Sequence, residues 1–363
     1  MAEYPLLSNS FNTALHHRTR CGSVMMRTMR AIARSQRRFS TAPEIKRVGV
    51  VGLGLMGHGI AQTAAEKGFE VVAVESETRF LDAGMARIES SVKKLSEKAV
   101  KKGKMSEADA AAHVEKTLSR ARGMCMSVCD CVCANRWLGC TAGISPSLDR
   151  GSFAGCDIVV EAVIEDLALK KPLYEDIGRL VSDGCIIASN TSSLAVHKMG
   201  AFCGRPSQMI GLHFFNPVQL MKLVEVVKTP QTDSALFQSA MGFARALGKT
   251  PVECVDTEGF VVNRLLVPFL IEAIMLVERG VASASDVDVA MKLGAGHPMG
   301  PIQLADYIGL DTVHSIIAGW AAEFPDNPSF KVPASLAAKV AEGKLGRKSG
   351  EGFFQWQGDK LAE

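Results

Sequence analysis

The chain has 363 residues, of which 47% are hydrophobic and 22% charged, and a formal net charge of +3. That length holds two domains with ample core, and no apolar run reaches the roughly 18 residues a membrane-spanning helix needs. Seven of the 41 basic residues and two of the 38 acidic ones lie in residues 1–44, leaving a near-neutral body of 34 against 36 without the basic surface of a nucleic-acid binder.

Residues 1–44 carry Arg18, Arg20, Arg27, Arg30, Arg34, Arg37 and Arg38, no lysine, and only Glu3 and Glu44 as acids. An Arg-rich, acid-poor leader with Ser and Thr has the composition of a mitochondrial transit peptide, and it predicts delivery to the matrix. The alternative, a basic tail for nucleic acid or anionic lipid, gains nothing from the neutral body.

Lys46-Arg-Val-Gly-Val-Val-Gly52 reads as a buried parallel strand running into Gly52-Leu53-Gly54-Leu55-Met56-Gly57, a G-x-G-x-x-G. A helix over residues 60–67 stops at Gly68, and a second strand, Glu70-Val-Val-Ala-Val-Glu75, ends in an acid 23 residues after the first glycine. The first glycine suits a tight turn, the second lets backbone approach a pyrophosphate closely, and the third lets helix pack on strand. The helix N-terminus favours the phosphate charge. Glu75 is placed to accept from a ribose diol, and its charge opposes a 2′-phosphate. Strand, glycines, helix, strand and acid in this order predict a Rossmann-type NAD-binding domain.

Ser91, Lys94, Lys98, Lys101 and Lys102 fall near one face of a helix by spacing; for most of these lysines a solvated face is sufficient explanation. Ten cysteines follow no secretory signal, and five of them (Cys125, Cys129, Cys131, Cys133, Cys140) crowd into 16 residues. Cys129-x-Cys131-x-Cys133 lacks the paired C-x-x-C knuckles and histidines of a zinc site, so no metal is expected.

Further apolar runs, Asp157-Ile-Val-Val-Glu-Ala-Val163, Cys185-Ile-Ile-Ala-Ser189 and Met209-Ile-Gly-Leu-His-Phe-Phe215, continue the sheet. Glu165, Asn190 and Asn216 follow them, where open α/β sheets bind ligands. In Gly211-Leu-His-Phe-Phe-Asn-Pro-Val-Gln-Leu-Met-Lys-Leu-Val-Glu-Val-Val227, Pro217 breaks two strand-like halves. Folding back would set His213 beside Glu225: a base with its orienting acid, or a buried histidine next to an unrelated glutamate. Past residue 250 the texture turns helical. One pattern runs over residues 260–279 and stops at Gly280, and Ser285 is expected to cap the next helix. Asn263 falls in the first turn of the long helix, as a site residue or simply a helix-terminus hydrogen bond. The organisation expected is a leader (1–44), an NAD-binding domain (45–249) and a smaller all-α C-terminal domain (250–363).

These pieces resemble the mitochondrial short/medium-chain L-3-hydroxyacyl-CoA dehydrogenase family. The motifs are Gly52-Leu-Gly-Leu-Met-Gly57, Ala188-Ser-Asn-Thr-Ser-Ser-Leu194, Leu212-His-Phe-Phe-Asn-Pro217, Met221-Lys-Leu-Val-Glu-Val226, Gly259-Phe-Val-Val-Asn-Arg-Leu-Leu266, Met291-Lys-Leu-Gly-Ala-Gly-His-Pro-Met-Gly-Pro301 and Lys348-Ser-Gly-Glu-Gly-Phe353. The resemblance covers residues 46–120 and 145–357. It implies oxidation of the 3-hydroxyl of a fatty acyl-CoA by NAD in β-oxidation, by a homodimer of the matrix. His213 would be the general base, Glu225 its orienting acid, and Ser192 and Asn263 the grip on the substrate oxygen. Glu165, Lys170, Ser192, Asn216 and Lys348 match cofactor-contacting positions; Ser91, Lys98 and Ser192 match acyl-CoA contacts. Two departures stand out. The family usually has aspartate at the position of Glu75, and it passes almost directly across residues 121–144, which therefore look like an insert, either a disordered loop or an atypically translated segment. Other functions consistent with the fold are a dehydrogenase of a free hydroxy acid or sugar acid, and an inactive or regulatory binding protein.

Overall fold

The computed structural model describes residues 44–118 and 143–362. Residues 1–43 of the leader and the five crowded cysteines lie outside the described residues.

The first domain is built on an eight-stranded sheet. In chain order its elements are β1 (Arg47–Val51), α1 (Gly57–Glu66), β2 (Glu70–Val74), α2 (Thr78–Lys101), α3 (Glu107–Leu118), β3 (Gly143–Ser147), β4 (Ile158–Glu161), α4 (Leu167–Leu180), β5 (Ile186–Ser189), α5 (Val196–Phe202), β6 (Met209–Phe214), β7 (Leu223–Lys228), α6 (Ser234–Ala246) and β8 (Thr250–Val255). The strand order is β3-β2-β1-β4-β5-β6-β7-β8. All neighbours pair in parallel except β6 and β7, which are antiparallel. The central strands are apolar on both faces because helices cover both. One face packs Ile60 and Ala64 of α1 with Phe237 and Ala240 of α6. The other packs Leu173 and Ile177 of α4 with Val196 and Met199 of α5.

Both edge strands correct the sequence reading. Residues 143 and 144, assigned there to the insert, open β3, which pairs with β2 through Gly143↔Glu70 and Ile144↔Val71. Residues 250–255, assigned there to the C-terminal domain, are β8, so the sheet ends after Val255. Each of these strands contains a proline, Pro146 or Pro251, which only an edge tolerates, and each has a mostly polar or exposed face.

The second domain is α7 (Val262–Glu278), α8 (Ala284–Gly294), α9 (Pro301–Ile308), α10 (Leu310–Glu323) and α11 (Ala334–Ala341), closed by a short hairpin of β9 (Trp356–Gln357) and β10 (Lys360–Leu361). Its own core gathers Leu270 and Ile274 of α7 around Ile302, Leu310, Ile317 and Leu336. The cap of α8 is Ser283 rather than the expected Ser285: its Oγ accepts from the Asp286 amide and donates back to the Asp286 carboxylate. The architecture is thus a Rossmann-type α/β domain followed by a smaller helical domain.

Candidate active site

The glycine-rich loop joins β1 to α1 at the carboxyl edge of the sheet. Gly52 has φ +86°, and a Cβ there would lie 2.8 Å from the Ala162 carbonyl oxygen. A Cβ on Gly57 would lie 1.7 Å from the Gly52 oxygen, whereas one on Gly54 would meet nothing within 4 Å. The first glycine makes the turn and the third allows the helix to close on it. The second leaves open space at the N-terminus of α1, which suits a pyrophosphate. Leu53 is fully buried and Leu55 is 65% exposed, so only Leu55 offers its side chain to a ligand. Met56 packs on the core. Glu75, just past β2, accepts from the Leu53 amide at 2.5 Å and from the Ser76 amide at 3.2 Å. The extra methylene relative to aspartate lets this carboxylate reach the loop, and free lone pairs remain for a diol. These residues fit the adenosine half of NAD.

Farther along the same edge, β6 and β7 pair so that His213 is directly opposite Glu225. The imidazole Nδ1 and Glu225 Oε2 are 2.7 Å apart, with His213 6% and Glu225 0% exposed. A carboxylate only accepts, so Nδ1 carries the hydrogen and Nε2 is left with its lone pair. The other oxygen, Oε1, accepts from the Val261 and Val262 amides at 3.1 and 2.8 Å, at the N-terminus of α7. Burial pushes the Glu225 carboxyl up, but the bonds from His213, Val262 and Val261 outweigh it and hold the group below its ordinary value. Phe215 and Phe260 flank the imidazole, at centroid distances of 4.5 and 5.6 Å. Phe260 has φ +51°, a left-handed conformation that follows left-handed Gly259 and turns the chain sharply from β8 into α7.

A buried polar cluster supports the loop after β5. Glu161, at the end of β4 and 1% exposed, accepts from Lys170 Nζ at 2.8 and 2.9 Å, and from Tyr174 Oη and Ser189 Oγ, each at 2.8 Å. Burial and the Glu161 charge keep Tyr174 protonated by raising its pKa well above the ordinary value. Lys170 Nζ also lies 3.0 Å from Glu165 Oε2, and Glu165 Oε1 accepts from the Ser192 amide at 2.9 Å. The cluster therefore fixes the Ser192 backbone. Asn190 Oδ1 accepts from the Phe214 amide at 2.9 Å, tying this loop to the strand that bears His213. The side chains of Ser192 and Asn263 make no hydrogen bond with the described residues, and Asn263 lies one residue past the amides that hold Glu225.

The other expected site residues are more dispersed. Asn216 and Ser91 line a cleft of about 740 Å³ beside the glycine-rich loop. Lys98 is exposed, two turns past Ser91 and outside that lining. Lys170 is 1% exposed and engaged with two carboxylates, so it reaches the site through Glu165. Lys348 pairs with Asp311 within the helical domain. Sequence reasoning did not single out Glu161, although an acid inside an apolar strand was a visible anomaly. It also missed Tyr174 and the two α7 amides, which no side-chain pattern announces.

A glycine-rich loop with a carboxylate beside it, and a histidine held by an acid on the same sheet edge, fit an NAD-linked oxidoreductase. The comparisons narrow this class. The family model for the 3-hydroxyacyl-CoA dehydrogenase NAD-binding domain matches residues 47–138 and 134–257, and that for the C-terminal domain matches residues 259–356. The mitochondrial hydroxyacyl-coenzyme A dehydrogenase of Rattus norvegicus is 46% identical over 316 residues, 86% of this chain and 92% of that protein. Its Homo sapiens counterpart is 43% identical over 332 residues, 91% of this chain and 98% of that protein. The crystal structure of (S)-3-hydroxybutyryl-CoA dehydrogenase from Ralstonia eutropha is 36% identical with a TM-score of 0.74, covering 86% of this chain and all of that one. The chain belongs to the 3-hydroxyacyl-CoA dehydrogenase family and is an NAD-dependent oxidoreductase.

Proposed function

We propose that the protein oxidises the C3 hydroxyl of an (S)-3-hydroxyacyl-CoA to the 3-oxoacyl-CoA. The observation that carries this reading is the His213–Glu225 pair, with Nε2 free, on the same sheet edge as the glycine-rich loop. NAD, when bound, supplies the hydride acceptor for C3. His213 Nε2 takes the hydroxyl proton, and Glu225, facing Nδ1, stabilises the imidazolium that forms. Ser192 Oγ and the Asn263 amide hold the substrate oxygen, because both have hydrogen-bonding capacity to spare and are anchored through Glu165 and α7. Glu75 takes the ribose diol, with Glu165, Asn216 and Lys348 completing the cofactor's surroundings and Lys170 acting through Glu165. Ser91 and Lys98 contact the coenzyme A moiety.

The working assay is loss of NADH absorbance with acetoacetyl-CoA, the reverse reaction. His213→Gln is expected to lower kcat by about a thousandfold with the fold intact. Ordinary turnover by that variant would remove His213 from the mechanism. Turnover of free 3-oxo acids as fast as of their CoA thioesters would redirect the substrate assignment.

The Arg-rich leader and the mitochondrial relatives support a matrix enzyme of fatty acid β-oxidation, which import of the full chain into isolated mitochondria would test. A homodimer is supported by apolar surface on the helical domain, where Leu265 is 70% and Leu293 84% exposed. Leu293→Asp is expected to shift the protein to monomer in sedimentation analysis.

A further inference from the structure

The run Glu75-Ser-Glu-Thr-Arg79 leads from the end of β2 into α2. Beside a ribose held by Glu75, a phosphate on the 2′-oxygen would need a hydroxyl or a guanidinium to receive it. The run carries both. Ser76 is exposed, and its Oγ makes no hydrogen bond with the described residues. Arg79 is exposed too, but its fork is engaged: Nη2 donates to Glu77 Oε1 at 3.1 Å, and Nε lies 2.8 Å from Glu77 Oε2. One edge of the guanidinium thus matches both carboxylate oxygens. The same group stands over the Phe80 ring, 4.6 Å from its centroid. Glu77 occupies the capping position of α2 with extended backbone, yet its side chain makes no bond to the helix amides. Its carboxylate serves Arg79 rather than the helix.

Both side chains are largely exposed, so the pair adds little to stability. Its effect lies in what it withholds. An arginine near the ribose of a Rossmann site is the group that accommodates the 2′-phosphate of NADP. We propose that Glu77 is a specificity-determining residue: by engaging the Arg79 fork it denies a 2′-phosphate its counter-charge, and together with Glu75 it keeps the enzyme on NAD. This inference rests on the placement of Glu75 at the ribose and goes beyond it. An acid at the end of β2 repels the extra phosphate but would leave Arg79 free to attract it. Without Glu77 the run from Glu75 to Arg79 is neutral and the fork is open.

The test reads nucleotide binding directly, by fluorescence titration of NADH and NADPH against the full chain and against Glu77→Ala, Arg79→Ala, the double variant Glu77→Ala/Arg79→Ala, and Glu75→Ser. In Glu77→Ala the affinity for NADPH relative to NADH is expected to rise about tenfold, which is what one charge-assisted bond to a phosphate contributes. Arg79→Ala alone is expected not to raise that ratio, and in the double variant most of the gain is expected to disappear. The gain in Glu77→Ala is also expected to shrink about threefold between roughly 0.05 and 0.5 M salt, as a reshaped loop would not make it do. With acetoacetyl-CoA as substrate, the same variant is expected to gain in kcat/KM for NADPH through KM, with kcat holding. An unchanged ratio in Glu77→Ala overturns the proposal. So does an equal rise in the double variant, because the gain would then owe nothing to Arg79. Glu75→Ser separates this inference from the reading beneath it: an unchanged NADH affinity there removes Glu75 from the ribose, while a gain in Glu77→Ala that vanishes with Arg79 still assigns the phosphate contact to Arg79.

Discussion

In the proposed reaction, the role of His213 depends on which ring nitrogen carries the hydrogen. Glu225 decides this because its two oxygens are both committed, one to Nδ1 and one to the Val261 and Val262 amides. In Glu225→Gln, rotation of the amide places an N–H donor against Nδ1, moves the ring hydrogen to Nε2 and removes the lone pair proposed to act as base. Its kcat is expected to fall at least a hundredfold, with acetoacetyl-CoA affinity little changed. The same pair affects stability. A carboxyl whose folded-state pKa lies below its unfolded one stabilises the fold at pH above the unfolded value, about 4.5 here. That stabilisation is lost as pH falls through the lowered folded value. Melting temperature measured down to acid pH is therefore expected to fall less steeply for Glu225→Gln than for the unaltered chain, because the variant has already lost this contribution at neutral pH.

At the scale of elements, the strands are positioned partly by what lies between them. Lys170 of α4 neutralises Glu161 of β4 and also holds Glu165, which in turn holds the Ser192 amide. Lys170→Met leaves Glu161 with Tyr174, Ser189 and the Val163 amide but no counter-charge. The loss is expected to be about 3 kcal/mol, seen in urea unfolding, with a raised KM for NADH as the Ser192 loop loosens. The sequence made some of these elements legible and hid others. The glycine loop, the central strands and the fold-back of His213 onto Glu225 could be read because periodicity, glycine spacing and Pro217 are local signals. The edge strands β3 and β8 could not, since their prolines and polar faces look like loop until a neighbouring strand pairs with them. The Glu161 cluster was equally hidden: its members are 9, 13 and 28 residues away, and only the sheet brings them together.

For the whole molecule, the position of the segment read as an insert matters. Residues 121–142 of it fall between α3 and β3, the outermost strand, far in sheet order from β6 and β7. The helix and strand on either side pack against each other, so a short connection can replace the segment. A chain lacking residues 121–142 is expected to fold and to keep the acetoacetyl-CoA activity of the full chain within about twofold. A gain of activity on deletion would instead identify the segment as inhibitory.

The seam between the two domains passes through the Glu225 carboxylate. Residues 44–257 contain the glycine-rich loop, His213 and Glu225, yet the amides that hold Oε1 belong to the turn opening the helical domain. That turn has little freedom: a Cβ on Gly259 would lie 2.5 Å from the Trp320 ring of α10. Neither part is expected to work alone. The sheet domain made alone would keep the histidine and its acid and give no turnover, and complementation by the helical domain in trans would restore the seam before it restored the chemistry. Activity in this molecule thus doubles as a report that both parts have folded and docked.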